Sequence, residues 1–291
     1  MKIRNKLYFS YVLLIISVMT IMLTGCKDKK KFEIVIIPDA QKTQLERANL
    51  YGKIKIIKTN SYNTHSKDSL DNQHLVSTVY QHFSADGSLL KLVILNSNND
   101  TIRKREVQYN DDGKEISWNE TEYQYNRKSS CLFRYDMNGY ISSEEYYIQD
   151  TLYYTIQYKT DGIGSIIEMN KVKQDITIKN ILSYNENGLL IKNNEYDPYG
   201  KLFKYIVFEY DNYGDEVNKK VFNKSNSLIE FTFTQYDQKG RVQKILYENL
   251  EHGLKDTKTY SQHDPKGNWN FEIQISNNDT LFLRKREITY Y

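Results

Sequence analysis

The seven residues Phe208-Glu209-Tyr210-Asp211-Asn212-Tyr213-Gly214 contain an aromatic residue that is followed four places later by a glycine. The Asp after the aromatic residue can accept hydrogen bonds from backbone amides just ahead of it, which tightens a turn. The glycine can adopt a positive φ because it has no Cβ atom to clash. The stretch therefore predicts a hairpin connection, a type I turn closed by a left-handed residue.

The same aromatic-to-glycine spacing returns through most of the chain. Successive glycines are 26, 26, 23, 26, 26, 26 and 27 residues apart, so one small structural unit is used eight times. A period of this length is typical of a repeat array, in which each aromatic residue and glycine has a structural role at a turn. The units open at Phe83-Gly87, Tyr109-Gly113, Tyr135-Gly139, Tyr158-Gly162, Tyr184-Gly188, Tyr210-Gly214, Tyr236-Gly240 and His263-Gly267.

The residues beside these turns alternate in polarity as they do in a β-strand. The residue before the aromatic position is polar in all eight units, and an apolar residue stands second after the glycine in five. Near each turn, one face of the sheet is therefore expected to be exposed to solvent and the other to be buried. Farther along the strands, apolar residues also occur on the solvent-facing side. This predicts that the middles of the strands are buried on both faces. These residues are Tyr80, Leu132, Ile181, Val207 and Phe233.

A unit of 26 residues has room for two strands and two turns. Eight such hairpins predict about sixteen strands, with more between Gly52 and Tyr80. The chain has 26 Tyr and only 3 Pro, which suits a sheet bonded along its whole length. The predicted fold class is all-β, with tandem antiparallel β-hairpin repeats that form a large twisted or rolled meander sheet.

The N-terminus has the pattern of a signal peptide. Basic residues precede an apolar run from residue 7 to residue 23, and the run ends in Leu23-Thr24-Gly25-Cys26. This ending resembles the lipobox of bacterial lipoproteins, which implies that residues 1–25 are removed and that Cys26 carries the lipid. An uncleaved single-pass anchor and an ordinary secretory signal are the alternatives. Residues 26–50 are predicted to be a tether and entry segment, with a short helix from Asp39 to Leu50, and residues 51–291 the repeat domain.

The segment after Cys26 bears on localisation. Acyl chains hold a protein on a bilayer, so the membrane is an expected partner through the N-terminal lipid. Lys27 stands where lipoproteins retained at the inner membrane carry Asp, and this resemblance implies the outer membrane. The tether lacks the acidic cluster that often accompanies surface export, which favours the periplasmic face.

The charge of the chain bears on its other partners. The net charge of +3 comes from Lys2, Arg4 and Lys6 of the signal, so the remainder is balanced. Nucleic acid is therefore not expected as a partner, because phosphate binding needs a concentrated basic face. The tyrosines are suited to stacking on a glycan or on an envelope protein, although packing beside the turns explains their positions as well.

The acidic residues do not predict a catalytic site. Glu144 and Glu145 are adjacent in a predicted strand, so they point to opposite faces and make no acid–base pair. Glu120 and Glu122 share a face, but the pattern predicts that both are exposed. No phosphate loop, nucleophile elbow or zinc signature occurs, so we expect no catalytic residue and no cofactor.

The histidines and the remaining cysteine do not predict a functional site either. His252 and His263 lie near Asp256 and Asp264, but their spacing is not that of a metal site. His263 occupies the aromatic position of its repeat, which favours a packing role, and no metal is expected. With Cys26 lipidated, Cys131 has no disulfide partner and is predicted to be a small buried apolar residue.

The repeat also resembles a known family. The run Tyr236-Asp237-Gln238-Lys239-Gly240-Arg241-Val242 is similar to the YD repeat of the Rhs family, and the similarity extends over about residues 50 to 291. Together with the lipobox it resembles the short Rhs-repeat lipoproteins of Gram-negative bacteria. Large Rhs proteins wind such hairpins into a shell around a toxin. This chain has too few units for a shell and no toxin region after its last strand, so that role is not implied.

Three functional hypotheses follow from these features. The first is a non-catalytic envelope lipoprotein, a repeat scaffold that binds a glycan or a protein partner. The second is an envelope hydrolase that acts on glycan or cell wall, and the third is an accessory component of an Rhs-type contact or toxin system, which rests on family analogy. An enzyme should break the repeat to build a pocket. The breaks are the shortened spacing between Gly139 and Gly162 and the long segment from Tyr247 to Tyr260.

Overall fold

The fold is all-β, as the computed structural model shows for the residues that it describes, which are 45, 50–64, 74–277 and 280–291. Eighteen strands belong to one hydrogen-bonded sheet, and the only other regular element in this part of the chain, apart from the helical Leu45, is a 3₁₀ turn at Tyr123–Tyr125. The strands are β1 Ile54–Thr64, β2 His74–Phe83, β3 Leu89–Asn96, β4 Thr101–Tyr109, β5 Glu115–Glu122, β6 Arg127–Tyr135, β7 Ile141–Ile148, β8 Thr151–Thr160, β9 Ile166–Lys173, β10 Ile176–Tyr184, β11 Leu190–Tyr196, β12 Leu202–Tyr210, β13 Glu216–Asn223, β14 Leu228–Tyr236, β15 Val242–Asn249, β16 Leu254–His263, β17 Trp269–Ser276 and β18 Thr280–Tyr290.

The sheet is closed, so the predicted twisted or rolled meander sheet is wrong. β1 pairs antiparallel with β2 on one side and with β18 on the other, and Ile57 lies opposite both Gln81 and Ile288. Closure removes the unpaired backbone groups that an edge strand would expose. The YD-repeat arrangement implied by the Rhs resemblance is therefore also wrong. Periodic hairpins are present, but the last of them returns to pair with the first strand.

A buried asparagine supports this closure. Asn268 is fully buried after the last periodic glycine. Its side chain accepts a hydrogen bond from the Tyr51 amide (3.0 Å) and donates to the Tyr51 carbonyl (3.0 Å) and the Tyr290 hydroxyl (2.8 Å). The side chain therefore joins the segment before β1 to the end of β18.

The turns have the predicted chemistry. In the turn between β12 and β13, Oδ1 of Asp211 accepts hydrogen bonds from the amides of Tyr213 (2.8 Å) and Asp215 (3.0 Å), and Gly214 has a φ of 81°. The predicted capping by the residue after the aromatic position is thereby confirmed. The same pair of bonds is made by Asp136, Asp161, Asn185, Asp237 and Asp264. Glycines with positive φ close the turns at Gly87, Gly113, Gly139, Gly188, Gly240 and Gly267.

The fourth unit is displaced from its predicted position. The turn there is capped by Asp161 and closed by Gly164, which has a φ of 86°, whereas Gly162 lies outside the left-handed region. The aromatic position is consequently filled by Thr160 and not by Tyr158. The prediction of a turn at Tyr158-Gly162 is wrong because two glycines compete for the closing position, and the capping aspartate selects the second.

The periodic tyrosines have a hydrogen-bonding role as well as a packing role. The hydroxyls of Tyr135, Tyr184 and Tyr210 donate to backbone carbonyls at distances of 2.7, 2.6 and 2.7 Å. Each acceptor is the first residue of the preceding strand, namely Glu115, Ile166 and Leu190. The tyrosines thereby tie the last residue of one strand to the start of its neighbour. Tyr109 and Tyr236 end β4 and β14 in the equivalent place.

Contacts divide the described residues into two compact units. Unit 1 comprises residues 106–229 and is built around Ile141, Ile166, Leu182 and Leu190. Unit 2 comprises the described residues up to 105 together with 230–291. It contains two apolar clusters, Val242, Ile245, Tyr260 and Trp269 in one and Leu45, Ile54, Ile57 and Phe83 in the other.

Strand middles are covered on both faces only in part. Tyr80, Ile181 and Val207 are half-buried, as the blurred alternation predicts. Leu132 and Phe233 are exposed, so for these two residues the prediction is wrong. Arg134 and Gln235, two places farther along the same faces, are exposed as well.

Valine at Gly214 should lower the free energy of unfolding by about 1–3 kcal/mol, because a β-branched residue is strained at positive φ. The nearest atom to an added Cβ, Cδ1 of Leu189, is 3.8 Å away, so the effect would come from the backbone and not from a clash. Urea denaturation would measure it. Gly162→Val is the matched control, because Gly162 lies in a turn without a positive φ and has open space around it. Equal losses in the two variants would refute the turn assignment.

Candidate functional site

One hairpin of unit 1 departs from the others. The strands β7 and β8 are joined by only Gln149 and Asp150, whose φ angles are 49° and 61°. Two successive residues in this region are typical of a type I′ turn, which makes the tightest hairpin connection. The tight turn lies in the same part of the chain as the shortened glycine spacing.

The strand β8 also contains a β-bulge. Tyr146 lies opposite Tyr154, but Tyr147 lies opposite Leu152, so Tyr153 is the additional residue on its strand. A bulge changes the direction in which side chains leave a strand. The consequence here is that the neighbouring rings of Tyr153 and Tyr154 contact each other, with their centroids 5.9 Å apart.

Four aromatic side chains meet at this bulge, and we call Trp118, Tyr146, Tyr153 and Tyr154 the aromatic cluster. The rings of Tyr146 and Tyr154 stack with centroids 4.9 Å apart and planes 12° apart. Trp118 and Tyr153 pack on Tyr146 at 5.7 and 6.2 Å. Trp118 is buried, whereas Tyr153 is 44% exposed. The cluster therefore leads from a buried ring to the surface of unit 1.

Two lysines of β9 complete the cluster. The Nζ atom of Lys171 lies 4.0 Å from the ring centroid of Tyr154, and that of Lys173 lies 3.8 Å from the centroid of Tyr153. A hydrogen bond with Lys173 lowers the pKa of the Tyr153 hydroxyl. Burial raises the pKa of Tyr154 and lowers that of Lys171. The site thus combines ring faces with ammonium donors at the border between the core and solvent.

The carboxylates of this region are arranged differently from each other. Glu144 is buried and accepts a hydrogen bond from the Tyr158 hydroxyl at 2.9 Å, whereas Glu145 pairs with Arg134 at 3.2 Å on the exposed face. The prediction that the two point to opposite faces is confirmed. The prediction that Glu120 and Glu122 are exposed is wrong, because both are buried in β5.

The buried carboxylates of β5 and β7 lie at different places along the sheet. Glu122 makes an ion pair with Arg127 at 2.5 Å. The register places Glu120 and Glu144 two strands apart and on opposite sides of the row that contains Tyr146. At about 4.8 Å per strand and about 3.3 Å per residue, their Cα atoms are roughly 16 Å apart.

The other residues considered in the sequence lie elsewhere. Cys131 is buried beside Trp118, as predicted, and His263 is half-buried, where burial lowers its pKa. Within the described ranges, no group of three His, Cys, Asp or Glu side chains is placed to hold a metal ion. Cys26 and nearly all of the segment Asp39 to Leu50 lie outside the described residues. In the described part of the chain, no helix has the length and apolarity needed to cross a membrane.

The aromatic cluster was not predicted from the sequence. Two adjacent tyrosine pairs on either side of a two-residue connection, Tyr146-Tyr147 and Tyr153-Tyr154, are a signal for it that can be seen in the sequence. The shortened repeat is a second signal. The bulge that brings Tyr153 and Tyr154 together has no sequence signature of its own, since it depends on the register of β7 with β8.

Comparison with known proteins gives similarity in the fold only. No family model matches the chain, and no curated protein matches it. A porin-like protein from Bacteroides uniformis has a TM-score of 0.44 and 10% identity, covering 82% of this chain and 98% of its own. A porin-like protein from Bacteroides vulgatus has a TM-score of 0.30 and 10% identity, covering 80% and 97%. The Tc holotoxin pore of Photorhabdus luminescens has a TM-score of 0.35 and 9% identity, covering 75% and 14%.

These values do not identify what the chain binds. The Rhs resemblance gains no support from the search of family models or of curated proteins. The closed antiparallel sheet is compatible with an outer-membrane location, since closed sheets satisfy their backbone hydrogen bonds internally.

Proposed function

We propose that this protein is a non-catalytic, lipid-anchored protein of the cell envelope that binds a glycan through the aromatic cluster of unit 1. The observation that carries the proposal is the exposed ring of Tyr153, which packs against the stacked rings of Tyr146 and Tyr154. Binding sites for small ligands are lined mainly by aromatic and apolar groups, with a few polar groups that orient the ligand.

The chemistry of a sugar suits this arrangement. A pyranose ring has an apolar face that packs on an aromatic ring, and hydroxyl groups that hydrogen-bond at its edge. The Nζ atoms of Lys171 and Lys173 lie over one face of the Tyr154 and Tyr153 rings, so a sugar on Tyr153 would pack on its other face or displace Lys173. Because Tyr153 is held by neighbouring rings, little side-chain freedom would be lost when a ligand binds.

The surface of the strands favours a water-facing protein on a tether. The exposed face of unit 1 has the Arg134–Glu145 ion pair, and unit 2 has a Lys58–Glu287 pair at 3.3 Å. Charged residues on a surface in contact with lipid would cost about 2–4 kcal/mol each at the bilayer midplane. We infer that attachment depends on Cys26, and that the protein is held at the outer membrane, with the periplasmic face favoured by its tether.

A hydrolase is the alternative activity, and the carboxylate geometry does not favour it. Glu122 is held by Arg127, and Glu144 accepts a hydrogen bond from the Tyr158 hydroxyl. A protein partner that docks on Tyr153 is the alternative ligand. Failure of the glycan experiment would favour this alternative.

The full-length chain, solubilised in detergent, should bind to glycans immobilised on an array, and Tyr153→Ala should weaken that binding about 5- to 150-fold, on a ring contact worth about 1–3 kcal/mol. Calorimetry with the bound glycans would measure the affinity. Tyr199→Ala is the matched control, since Tyr199 is an exposed tyrosine in another turn of unit 1. Binding to no glycan, or equal affinity of the Tyr153→Ala variant, would contradict the proposal.

A further inference from the structure

Three cationic side chains share one face of unit 2. Lys258 lies on β16, and Arg284 and Arg286 lie on β18. The intervening strand β17 places Gln274 opposite Lys258 and Glu272 opposite Arg284, so all of these side chains project from the same side of the sheet. We call Lys258, Arg284 and Arg286 the basic cluster.

The cations of the basic cluster are not fully matched by hydrogen-bond acceptors. Arg284 hydrogen-bonds Glu272 through Nη1 and Gln274 through Nη2, the latter at 3.3 Å. Its Nε atom is buried and has no partner among the described residues. Arg286 is only 5% exposed, and its Nε and Nη1 atoms are both buried without a hydrogen-bond partner in the described part of the chain.

Arg286 is held in place by an aromatic ring. Its guanidinium carbon lies 3.5 Å from the ring centroid of Trp269. Stacking of this kind stabilises a cation but does not satisfy its N–H groups, which lie in the plane of the guanidinium. Burial lowers the pKa of Arg286 to about 10, and the nearby Glu272 and Asp264 only partly offset this effect.

The neighbouring carboxylates already have partners. Glu272 is bound by Arg284, and Asp264 accepts hydrogen bonds from Tyr290 and Asn268. Asp256, on the same strand as Lys258, accepts a hydrogen bond from Gln274 at 3.4 Å. Burial lowers the pKa of Lys258, although Glu272 and Asp256 partly offset this effect. The guanidinium N–H groups without partners therefore lie among carboxylates that already accept other hydrogen bonds.

We propose that the basic cluster binds a small oxyanion, a carboxylate or a phosphate group, between Arg284 and Arg286. The planar guanidinium groups offer donors in the fork geometry that matches such groups, and a bound ion is one way in which buried donors without protein partners are satisfied. This site lies in unit 2 and does not depend on the aromatic cluster of unit 1. Because Arg286 is buried, the site can accept only one small anionic group, which is either free in solution or at the end of a larger ligand.

The experiment is a thermal titration of the full-length chain in detergent with inorganic phosphate and, separately, with acetate and glucuronate, against sodium chloride at matched ionic strength. We expect at least one of the three anions to raise the melting temperature saturably, whereas chloride does not. A response to phosphate alone would identify a phosphate site, and a response to the carboxylates a carboxylate site. Equal responses to all four salts would overturn the proposal.

The variant Arg286→Met distinguishes anion binding by Arg286 from a purely structural role of that residue. Without added anion, the variant should melt at the same temperature as the wild type or higher, because an unpaired buried cation is removed. The shift caused by the anion should fall at least fivefold. Arg286→Lys, which keeps the charge but not the fork, should also lose most of the shift and serves if the Met variant does not fold.

Lys285→Gln is the matched control, because Lys285 is the exposed neighbour on the opposite face of β18. It should keep the full response to the anion. An unchanged anion-induced shift in Arg286→Met or, if that variant does not fold, in Arg286→Lys would overturn the proposal.

Discussion

Alanine at Asn268 should lower the free energy of unfolding by about 2–4 kcal/mol, because the amide and carbonyl of Tyr51 lose their partner together and the Tyr290 hydroxyl keeps only Asp264. The Tyr51 amide, the Tyr51 carbonyl and the Tyr290 hydroxyl all bond to this one side chain. Each unsatisfied buried group costs about 1–3 kcal/mol, and the shared site keeps the total below the sum. The fully buried position of Asn268 leaves little access for water to replace the amide.

Urea denaturation followed by tyrosine fluorescence would measure this loss. Hydrogen exchange would locate it, since the amides of β1 and β18 should lose protection first if Asn268 holds the closing pair of strands. Asn138→Ala is the matched control, because Asn138 is an exposed asparagine in an equivalent turn of unit 1, and its change should be below about 0.5 kcal/mol. Similar losses in the two variants would show that the closure does not depend on Asn268.

Alanine at Cys26 should release the protein from membranes almost completely. If Cys26 carries the lipid, each buried methylene of its acyl chains contributes about 0.8 kcal/mol, and nothing else in the tether replaces that anchor. Fractionation of cells with a carbonate wash, followed by immunoblotting of pellet and supernatant, would measure the release. The variant should appear in the soluble fraction, and the wild type in the pellet.

Cys131→Ala is the matched control for this experiment. Cys131 is the other cysteine of the chain and is buried in β6, so its loss should leave the protein in the membrane pellet. Recovery of the Cys26→Ala variant in the pellet would contradict the lipid anchor. An uncleaved apolar anchor at residues 7–23 would then be the better interpretation of the N-terminus.

The turns were predictable because their causes are local. An aspartate that caps two amides and a glycine at positive φ act within five residues, so Asp211 and Gly214 are sufficient to place the β12–β13 turn. The fourth turn shows the limit of this reasoning. Gly162 and Gly164 are both possible closing residues by composition, and only the cap by Asp161 distinguishes them.

The candidate site was less predictable because it arises from pairing between strands. The opposite faces of Glu144 and Glu145 follow from strand geometry alone, but the burial of Glu120 and Glu122 depends on what packs over β5. The meeting of Tyr146, Tyr153 and Tyr154 depends on a one-residue shift of register in β8. Register is a property of two strands together, and one strand does not specify it.

By itself the sequence determined the all-β class, the period of the hairpins and the chemistry of their turns, because these follow from backbone conformations set by neighbouring residues. Only the tertiary structure decided that β18 pairs with β1, that Tyr153 joins a stack of rings, and that Arg286 is buried on Trp269. Each of these features joins residues from different strands. Their stability comes from groups buried together, and such contacts leave no periodic trace in the order of the amino acids.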